Sequence, residues 1–396
     1  MSALGTMWRS LWRFHRLLAG ILVLEYALAF AITLGAAGVL LSRARAINET
    51  SGVEETGLYV LQGTGVDQPI HLFEVMDAKN RFEAVAGADQ VALGSSVPFF
   101  GYQGREMPIS NPDDPDHPAP LQANAYEGGI HFTTVLGVRL LHGRAFQKDE
   151  IVHRYGDAGR VIILSAGLAS RLFHGEGAVG KQVKVGSQMH TVVGVIEPLA
   201  APRYLGNQRT TYTFILPNVA GGGNLLLIRY DGPEATLRSS FGALRKHDTG
   251  KVNWSLVPYS AIRSFYFRGD RATVEALAAI ICVVLITALC GILGLTSYWI
   301  ARRRPQIAMR RALGAKKSDI LLHFCCESGV LVVLGLALGL ALNYFISRSL
   351  GVFYSEGGIA TWLLAMVLVL LVAVIVIYGS LRRWLRMDPA ELMRLA

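Results

Sequence analysis

The segment most suggestive of catalysis is rich in glycine: Gly175-Glu-Gly-Ala-Val-Gly-Lys181 has the spacing of a phosphate-binding loop up to its lysine. In such a loop a Ser or Thr follows the lysine and holds magnesium, and a strand leads into the glycines. Here Gln182 follows Lys181, and a helical pattern precedes the glycines. We therefore interpret the segment as a tight turn and expect no ATP or magnesium site on this chain.

Metal and hydrolase chemistry lack the residue spacing that they need. Asp113, Asp114 and Asp116 stand beside His117 but lack the regular oxygen-ligand spacing of a calcium loop, which indicates a solvated loop. The ten histidines show no metal-ligand spacing, and residues 42–271 lack the Gly-x-Ser-x-Gly turn of a serine hydrolase. We predict that the chain is not an enzyme and carries no cofactor or metal.

Ionisable residues inside long apolar runs are a third group of candidates: Glu25 in the first run, and His323 and Glu327 in the third. A charge in hydrocarbon is costly, so each side chain should face another helix or lie near an interface. His323 and Glu327 are one helical turn apart near the end of their run, where snorkelling can occur. Glu25 lies deeper. Interhelical hydrogen bonding and a role in coupling both remain open for all three.

The basic segment Ala301-Arg-Arg-Arg-Pro-Gln-Ile-Ala-Met-Arg-Arg-Ala-Leu-Gly-Ala-Lys-Lys-Ser318 could bind a membrane or a partner. Pro305 suits the first turn of a helix, Met309 and Leu313 share one face, and Gly314 ends the helix. The pattern predicts a short basic amphipathic helix. Such a helix either adsorbs on anionic lipid or serves as a docking surface for a cytoplasmic protein.

The distribution of apolar residues predicts the elements that position these candidates. The chain has 396 residues, 52% of them hydrophobic and 17% charged, which indicates a membrane protein. Four runs reach the ~20 apolar residues of a membrane-spanning helix, the element that satisfies its own backbone in lipid. The first run is too long for a secretory signal and is expected to be a retained anchor. The predicted spans are residues 17–41, 272–300, 320–346 and 359–381.

Basic residues predict the orientation of these spans. They concentrate in the N-terminal residues 1–16, in the segment 301–319 and in the tail 382–396. The positive-inside rule places these three segments in the cytoplasm, and therefore residues 42–271 and the loop 347–358 on the other side. Since the net charge of +9 follows the ends of the spans, it does not indicate nucleic-acid binding.

Residues 42–271 predict a large α+β extracytoplasmic domain inserted between the first and second transmembrane helices. Runs rich in β-branched residues predict strands at Arg160–Leu164, Gln182–Val185 and His190–Ile196. Ser165–Phe173 opens with a good N-cap serine and predicts a short amphipathic helix. The proline-rich stretch Met107–Pro120 is interpreted as a loop or a hinge between two subdomains.

These parts resemble the four-helix permeases of the MacB, FtsX and LolC/LolE type, also called the type VII ABC superfamily. The basic segment looks like that family's loop between its second and third helices. A second segment is similar to the family pattern x-Leu-Gly-x-x-Leu-x-x-Gly-Arg-x-Phe, and later pieces resemble a MacB-like periplasmic core and the family's C-terminal tail. These matching segments are Arg304–Ile320, Phe132–Phe146, Ala169–Phe173, Val179–Lys181, Val193–Val195 and Met387–Glu391.

The resemblance implies a set of partners. A separate cytoplasmic ABC ATPase, which binds ATP and magnesium, would contact the basic segment, and two permease chains would pair as a homodimer or heterodimer. A periplasmic adaptor, an outer-membrane channel and membrane lipid are further partners; nucleic acid is not. The implied location is the bacterial inner membrane, with both termini in the cytoplasm and the large domain in the periplasm. The implied ATPase-coupling residues are Gln306, Ile307, Met309, Arg310, Arg311, Leu313 and Gly314.

One coupling residue departs from the family pattern, because Gln306 stands where relatives usually carry Glu. A contact between that side chain and a basic residue of the ATPase would be reduced to a neutral hydrogen bond. A partner adapted to this chain, or a degenerate subunit that works beside a second permease, would both explain the change.

The function that the resemblance implies is mechanotransmission, in which ATP hydrolysis moves the periplasmic domain to export or extract a peptide, an antibiotic or a lipophilic molecule. The alternative is an FtsX-like regulator that relays ATPase motion to an external cell-wall hydrolase. The MacB-like core at residues 132–196 favours export. A membrane receptor is a third class, but the cytoplasmic segments are too short to hold an output domain.

Overall fold

A computed structural model of the chain describes two compact units. The helical unit contains the chain up to Ile47 and from Gly269 onward, and the mixed unit runs from Asn48 to Arg268. The residues that the structure describes are 16–66, 70–100, 105–114, 119–153, 159–202, 212–219, 225–248, 251–302, 309, 317–350 and 358–385.

All strands of the described residues lie in the mixed unit, where short helices are interspersed among them. The helices are α1 (Arg16–Ile47), α2 (Leu72–Ala86), α3 (Phe132–Leu136), α4 (Ala166–Phe173), α5 (Glu234–His247), α6 (Tyr259–Tyr266), α7 (Arg268–Arg302), α8 (Lys317–Leu350) and α9 (Gly358–Leu385). The strands are β1 (Leu58–Gly65), β2 (Val91–Gly94), β3 (Arg105–Ser110), β4 (Leu121–Glu127), β5 (Leu140–Gly143), β6 (Val161–Ser165), β7 (Gln182–Val185), β8 (Gln188–Ile196), β9 (Thr213–Leu216), β10 (Leu225–Arg229) and β11 (Val252–Pro258).

Each of the four predicted apolar runs lies within a helix of the helical unit. Three helices are long and apolar enough to cross a membrane, over Leu17–Ile47, Arg268–Tyr298 and Cys325–Ile346. In α9 the described apolar stretch is shorter, Thr361–Val376. The described residues therefore contain three to four candidate spans, and the helices extend several residues beyond the runs at their ends.

Helices α1 and α8 pack in parallel with their backbones close together. A Cβ atom added to Gly335 would lie 2.5 Å from Tyr26 Cβ, and one added to Gly339 would lie 2.5 Å from the Ala27 carbonyl oxygen. One turn further along α8, Asn343 Nδ2 donates to the Ala31 carbonyl at 3.1 Å. Small residues allow this approach, and helices in lipid associate through such close packing and interhelical hydrogen bonds.

The first sheet of the mixed unit has four antiparallel strands in the order β11-β1-β10-β2. Two strand-helix-strand halves, β1-α2-β2 and β10-α5-β11, build it, and α2 and α5 pack against each other on one face. The central strand β10 is covered on both faces, since Leu226 and Ile228 pack towards these helices while Leu225 and Leu227 join the opposite core. This double burial explains why β10 is an uninterrupted apolar run rather than an alternating one.

The second sheet is inserted in the chain between β2 and β10 and closes on itself. Its strand order is β5-β8-β6-β9-β4-β3-β7, and β7 also pairs with β8. The six strands from β8 to β7 thus form a small closed barrel, while β5 pairs with the last residues of β8. The barrel core contains Ile162, Val183, Val192 and Phe214, and α4 contributes Leu168 to it.

Local predictions for this barrel are confirmed to within two residues. The three predicted strands correspond to β6, β7 and β8, and the predicted helix to α4. Ser165 does occupy the N-cap position of α4, but its side chain makes no cap hydrogen bond. Its Oγ instead accepts the backbone N–H of Thr213 at 3.1 Å, because the same residue also ends strand β6 beside β9.

The interpretation of Met107–Pro120 as a loop or a hinge between two subdomains is wrong for its first four residues and holds as a loop for residues 111–114. Its first residues, Met107 to Ser110, belong to β3. The rest connects β3 to β4, and these strands are antiparallel neighbours in one sheet. Pro108 is tolerated inside β3 because proline occurs in strands where its missing N–H is not needed by the ladder.

The two sheets share a hydrophobic core. Leu58 and Leu227 of the four-stranded sheet pack in one buried cluster with Tyr126, Ile163 and Ile196 of the barrel. Burial of apolar surface contributes about 25 cal/mol for each Å² removed from water. Separation of the sheets would expose this cluster, so the mixed unit is expected to behave as one body.

Candidate functional site

The predicted docking helix is largely outside the described residues. The structure does not describe six of its seven predicted coupling residues: Gln306, Ile307, Arg310, Arg311, Leu313 and Gly314. The structure describes Met309 as helical, with its side chain 66% exposed. The assignment of these residues to ATPase coupling therefore stays a prediction from the sequence.

Glu25 lies between two helices of the helical unit, as an ionisable residue in a membrane span should. Its side chain is half-buried, and its carboxyl group contacts Gly291 of α7 so closely that a Cβ atom there would collide with Oε1. Sequence reasoning did not identify Gly291. The only signal was a glycine within an apolar run, which the sequence alone could not connect to Glu25.

Glu327 is also inside the helical unit, with 1% of its surface exposed. It is two turns before Gly335 in α8, so the parallel register with α1 places it level with the first turns of α1. The side chain of His323 lies outside the described residues. Interhelical hydrogen bonding and a role in coupling therefore both stay predictions for His323 and Glu327.

The last turns of α1 and the first turn of α7 are joined by an ion pair. Arg43 Nη1 lies 3.0 Å from Asp270 Oδ1, and 48% of the arginine side chain is exposed. An exposed pair of this kind contributes at most about 1 kcal/mol.

Burial shifts the pKa values of His190 and Glu127, two side chains of the mixed unit, in opposite directions. Burial lowers the pKa of His190, whose Nδ1 lacks a hydrogen-bond partner within the described structure, although a hydrogen bond to the Gly159 backbone opposes the shift. Burial raises the pKa of the Glu127 carboxyl group, against the effects of Arg105 and Asn218. Among the described residues there is no group of three or more side chains that could hold a metal ion.

Comparison with known protein families gives two matches in chain order. A model of the MacB-like periplasmic core domain matches residues 27–238. A model of the FtsX-like permease C-terminal region matches residues 278–389. The first match begins within α1 and covers most of the mixed unit, whereas the second covers most of α7 and all of α8 and α9.

The names of curated relatives combine export, ATP binding and a permease. The macrolide export ATP-binding/permease protein MacB of Chromobacterium violaceum is 26% identical over 246 residues, 60% of this chain and 37% of the relative. The protein of the same name from Escherichia coli is 26% identical over 282 residues, 66% of this chain and 42% of the relative. The chain thus spans less than half the length of these relatives.

Two solved structures that are similar to the chain are named as regions outside the cytoplasm. The periplasmic region of MacB from Actinobacillus actinomycetemcomitans is 15% identical with a TM-score of 0.37, over 56% of this chain and 97% of that region. The extracellular domain of the noncanonic ABC-type transporter YknZ from Gram-positive bacteria is 14% identical with a TM-score of 0.35, over 50% of this chain and 99% of that domain.

Proposed function

Because the chain belongs to the family of FtsX-like permeases with a MacB-like periplasmic core domain, we propose that it is the membrane subunit of an ABC-type export complex. The observation that carries this proposal is the order of the two family matches, with the periplasmic core at residues 27–238 and the permease region at 278–389. A large domain between the first helix and three further helices suits a machine that acts outside the cytoplasm.

The proposed mechanism is mechanotransmission rather than passage through the lipid-embedded helices. A separate ATPase subunit binds ATP and magnesium and docks on the basic segment 301–319, and its cycle moves the periplasmic domain. Two features support this: the close contact of α1 with α8 at Gly335 and Gly339, and the core shared by the two sheets. Both allow a helix displacement to move a whole domain instead of deforming it.

The proposed topology has four spans, with both termini in the cytoplasm and the mixed unit in the periplasm. Basic residues at the ends of the apolar helices support this orientation. The proposed cargo is a peptide, an antibiotic or a lipophilic molecule, in keeping with relatives named for macrolide export. Two permease chains are proposed to pair, with an adaptor and an outer-membrane channel as further partners.

The experiment that tests the proposal is purification of the tagged chain from native membranes in mild detergent, with mass spectrometry of the co-purifying proteins. We expect an ABC ATPase in amounts comparable to the permease, together with an adaptor or an outer-membrane channel. A second permease chain in the same sample would show a heterodimer. Reproducible absence of an ATPase would contradict the proposal.

The match of residues 278–389 to the FtsX-like region supports one second candidate. In that case the complex would relay ATPase motion to a cell-wall hydrolase outside the membrane. Recovery of a hydrolase in place of an adaptor would favour this function. The MacB-like core over residues 27–238 favours export.

A further inference from the structure

Residues 48–57, called the linker here, connect α1 to β1 without regular secondary structure. A segment of this kind is usually mobile unless its backbone groups have partners. Here they are bound to three other parts of the mixed unit. The backbone hydrogen bonds are Glu54 N–H to the Leu136 carbonyl at 2.9 Å, Ala200 N–H to the Ser51 carbonyl at 3.0 Å, and Tyr230 N–H to the Gly57 carbonyl at 2.8 Å.

Arg229, at the end of β10, binds the second half of the linker. Its Nη1 donates to the Thr56 carbonyl and its Nη2 to the Glu54 carbonyl, both at 3.0 Å. Its Nε donates to the Val135 carbonyl of α3 at 2.9 Å. Arg229 therefore attaches the linker to the four-stranded sheet.

Arg263, on α6, binds the first half of the linker. Its Nη2 donates to the Glu49 carbonyl at 2.6 Å, and its Nη1 pairs with the carboxylate of Glu55. Ser51 Oγ donates to the same carboxylate at 2.8 Å. A single residue, Phe267, separates α6 from α7. Arg263 therefore binds the linker that follows α1 to the helix that precedes α7.

The guanidinium of Arg263 also lies over two aromatic rings, 5.4 Å from the centre of Phe99 and 6.0 Å from that of Phe267. These rings contact each other edge to face with centres 5.0 Å apart, and both are buried. Phe99 has a φ of 60°, a conformation that is strained for a bulky residue and persists only where the surroundings impose it. Arg263, Phe99 and Phe267 thus form a tightly packed cluster that holds the linker against the segment before α7.

We propose that Arg263 is the positioning residue that makes the linker and the segment before α7 move together during the ATPase cycle. The inference rests on the proposed function, because it concerns how helix movement reaches the periplasmic domain. A guanidinium can bind a carboxylate and a carbonyl from one plane while its face covers an aromatic ring. Lysine keeps the charge but cannot satisfy all of these contacts.

The test follows one intramolecular distance in the full permease–ATPase complex in nanodiscs. Labels are attached at Gln188→Cys in the mixed unit and Ser349→Cys in α8, after replacement of the four native cysteines by serine. The distance distribution is recorded without nucleotide and with ATP plus vanadate. The variant is Arg263→Gln, and the control is Arg144→Gln, which removes an arginine that forms a forked ion pair with Glu150 away from the linker.

We expect ATP to shift the distance in the unsubstituted chain and in Arg144→Gln. In Arg263→Gln the shift should fall by more than half while trapped nucleotide per complex stays unchanged. An equal shift in Arg263→Gln would overturn the inference but leave the proposed function intact. Absence of a shift in the unsubstituted chain would instead contradict the proposed function, and the inference with it.

If Arg263→Gln does not assemble with the ATPase, two milder variants decide the question. Arg263→Lys keeps the charge, and Glu55→Gln keeps the contact with the Glu49 carbonyl. We expect a reduced shift in both, with assembly retained. An unchanged shift in both would overturn the inference.

Discussion

At the scale of single residues, the helical unit depends on a carboxyl group and a glycine that fit each other. The sequence singled out Glu25 because an acidic residue in an apolar run needs a protein partner. It could not identify the partner, since Gly291 follows more than two hundred residues later and has no side chain to carry a signal. The geometry supplies this pairing, because the Glu25 carboxyl group occupies the space of a Cβ atom at Gly291.

The first prediction concerns this contact. Gly291→Ala should displace the Glu25 carboxyl group and destabilise the detergent-purified protein by less than the ~1–3 kcal/mol of core overpacking, because the atoms that the new Cβ meets are the far end of a flexible side chain. Gly294→Ala is the matched control, since a Cβ atom there has no heavy atom within 4 Å. Thermal unfolding of both variants measures the difference. The double variant with Glu25→Ala should recover most of the loss; a double variant no better than Gly291→Ala alone would refute the assigned contact.

The second prediction concerns His190, which is buried with a lowered pKa. As pH falls below the ordinary histidine value of about 6.5, the unfolded chain takes up a proton before the folded chain does. The free energy of unfolding should therefore fall with pH until the folded-state pKa is passed, by about 1.4 kcal/mol for each unit of pKa difference.

Unfolding by urea at pH 7.5 and pH 5 measures this effect. Carboxyl groups also titrate in this range, so the informative quantity is the change that His190→Gln makes to the pH dependence. The variant should lose part of the acid destabilisation, whereas His247→Gln, at an exposed position at the end of α5, should retain it. Equal pH dependence in all three proteins would contradict the assignment.

At the scale of elements, the sequence predicted helices and strands better than it predicted their partners. The apolar runs and the β-branched runs are local signals, and α1, β7 and α4 follow from them. Closure of the barrel by β7 with β8 is not a local property, since it depends on which edges meet in space. The error at Met107–Ser110 has the same origin: prolines predicted a loop, but pairing with β4 imposed a strand.

The third prediction concerns the packing of α1 against α8. Gly339→Ala should weaken it, because the new Cβ atom would lie 2.5 Å from the Ala27 carbonyl oxygen, which cannot move without moving α1. Gly329→Ala in the same helix meets no atom within 4 Å and serves as control. We expect the melting temperature to fall by several degrees for the first variant only. Similar melting temperatures would show that the two helices are not in this close contact.

The fourth prediction concerns the docking helix. Replacement of Arg310, Arg311 and Leu313 by Ala, Ala and Asp should release the ATPase, because it removes charge and places an acid on the apolar face. The control is Lys316→Ala with Lys317→Ala, which lowers the charge beyond the predicted end of the helix. Co-purification of the ATPase and ATP turnover measure the effect. Retention of both would contradict the docking role.

At the scale of the whole molecule, the mixed unit is one body because its sheets share a core. Ile163 belongs to the shared cluster, whereas its neighbour Ile162 points into the barrel. Successive residues of a strand face opposite sides, so these two adjacent isoleucines pack in two different cores. The sequence predicted two subdomains but gave no means of deciding whether they move separately.

The fifth prediction uses this pair. Ile163→Ala should increase hydrogen exchange in β1 and β10 as well as in the barrel. Truncation of a buried isoleucine lowers stability by about 2–5 kcal/mol, and the cluster that contains Ile163 also contains residues of β1 and β10. Ile162→Ala should have its main effect on the barrel. Exchange measured by mass spectrometry on the intact protein compares them. Protection of β10 unaffected by Ile163→Ala would show that the sheets are independent.

The insertion of the barrel into the four-stranded sheet has a consequence for biosynthesis. The chain leaves the sheet at Gly94 and returns at Leu225, and these two residues are paired neighbours. Strand β1 is synthesised early, but one of its two pairing partners is β11, the last strand before α7. Closing such long loops has an entropic cost that slows folding. The first half of the sheet must therefore persist unpaired during synthesis, and the domain can complete itself only when the second membrane helix is about to be delivered.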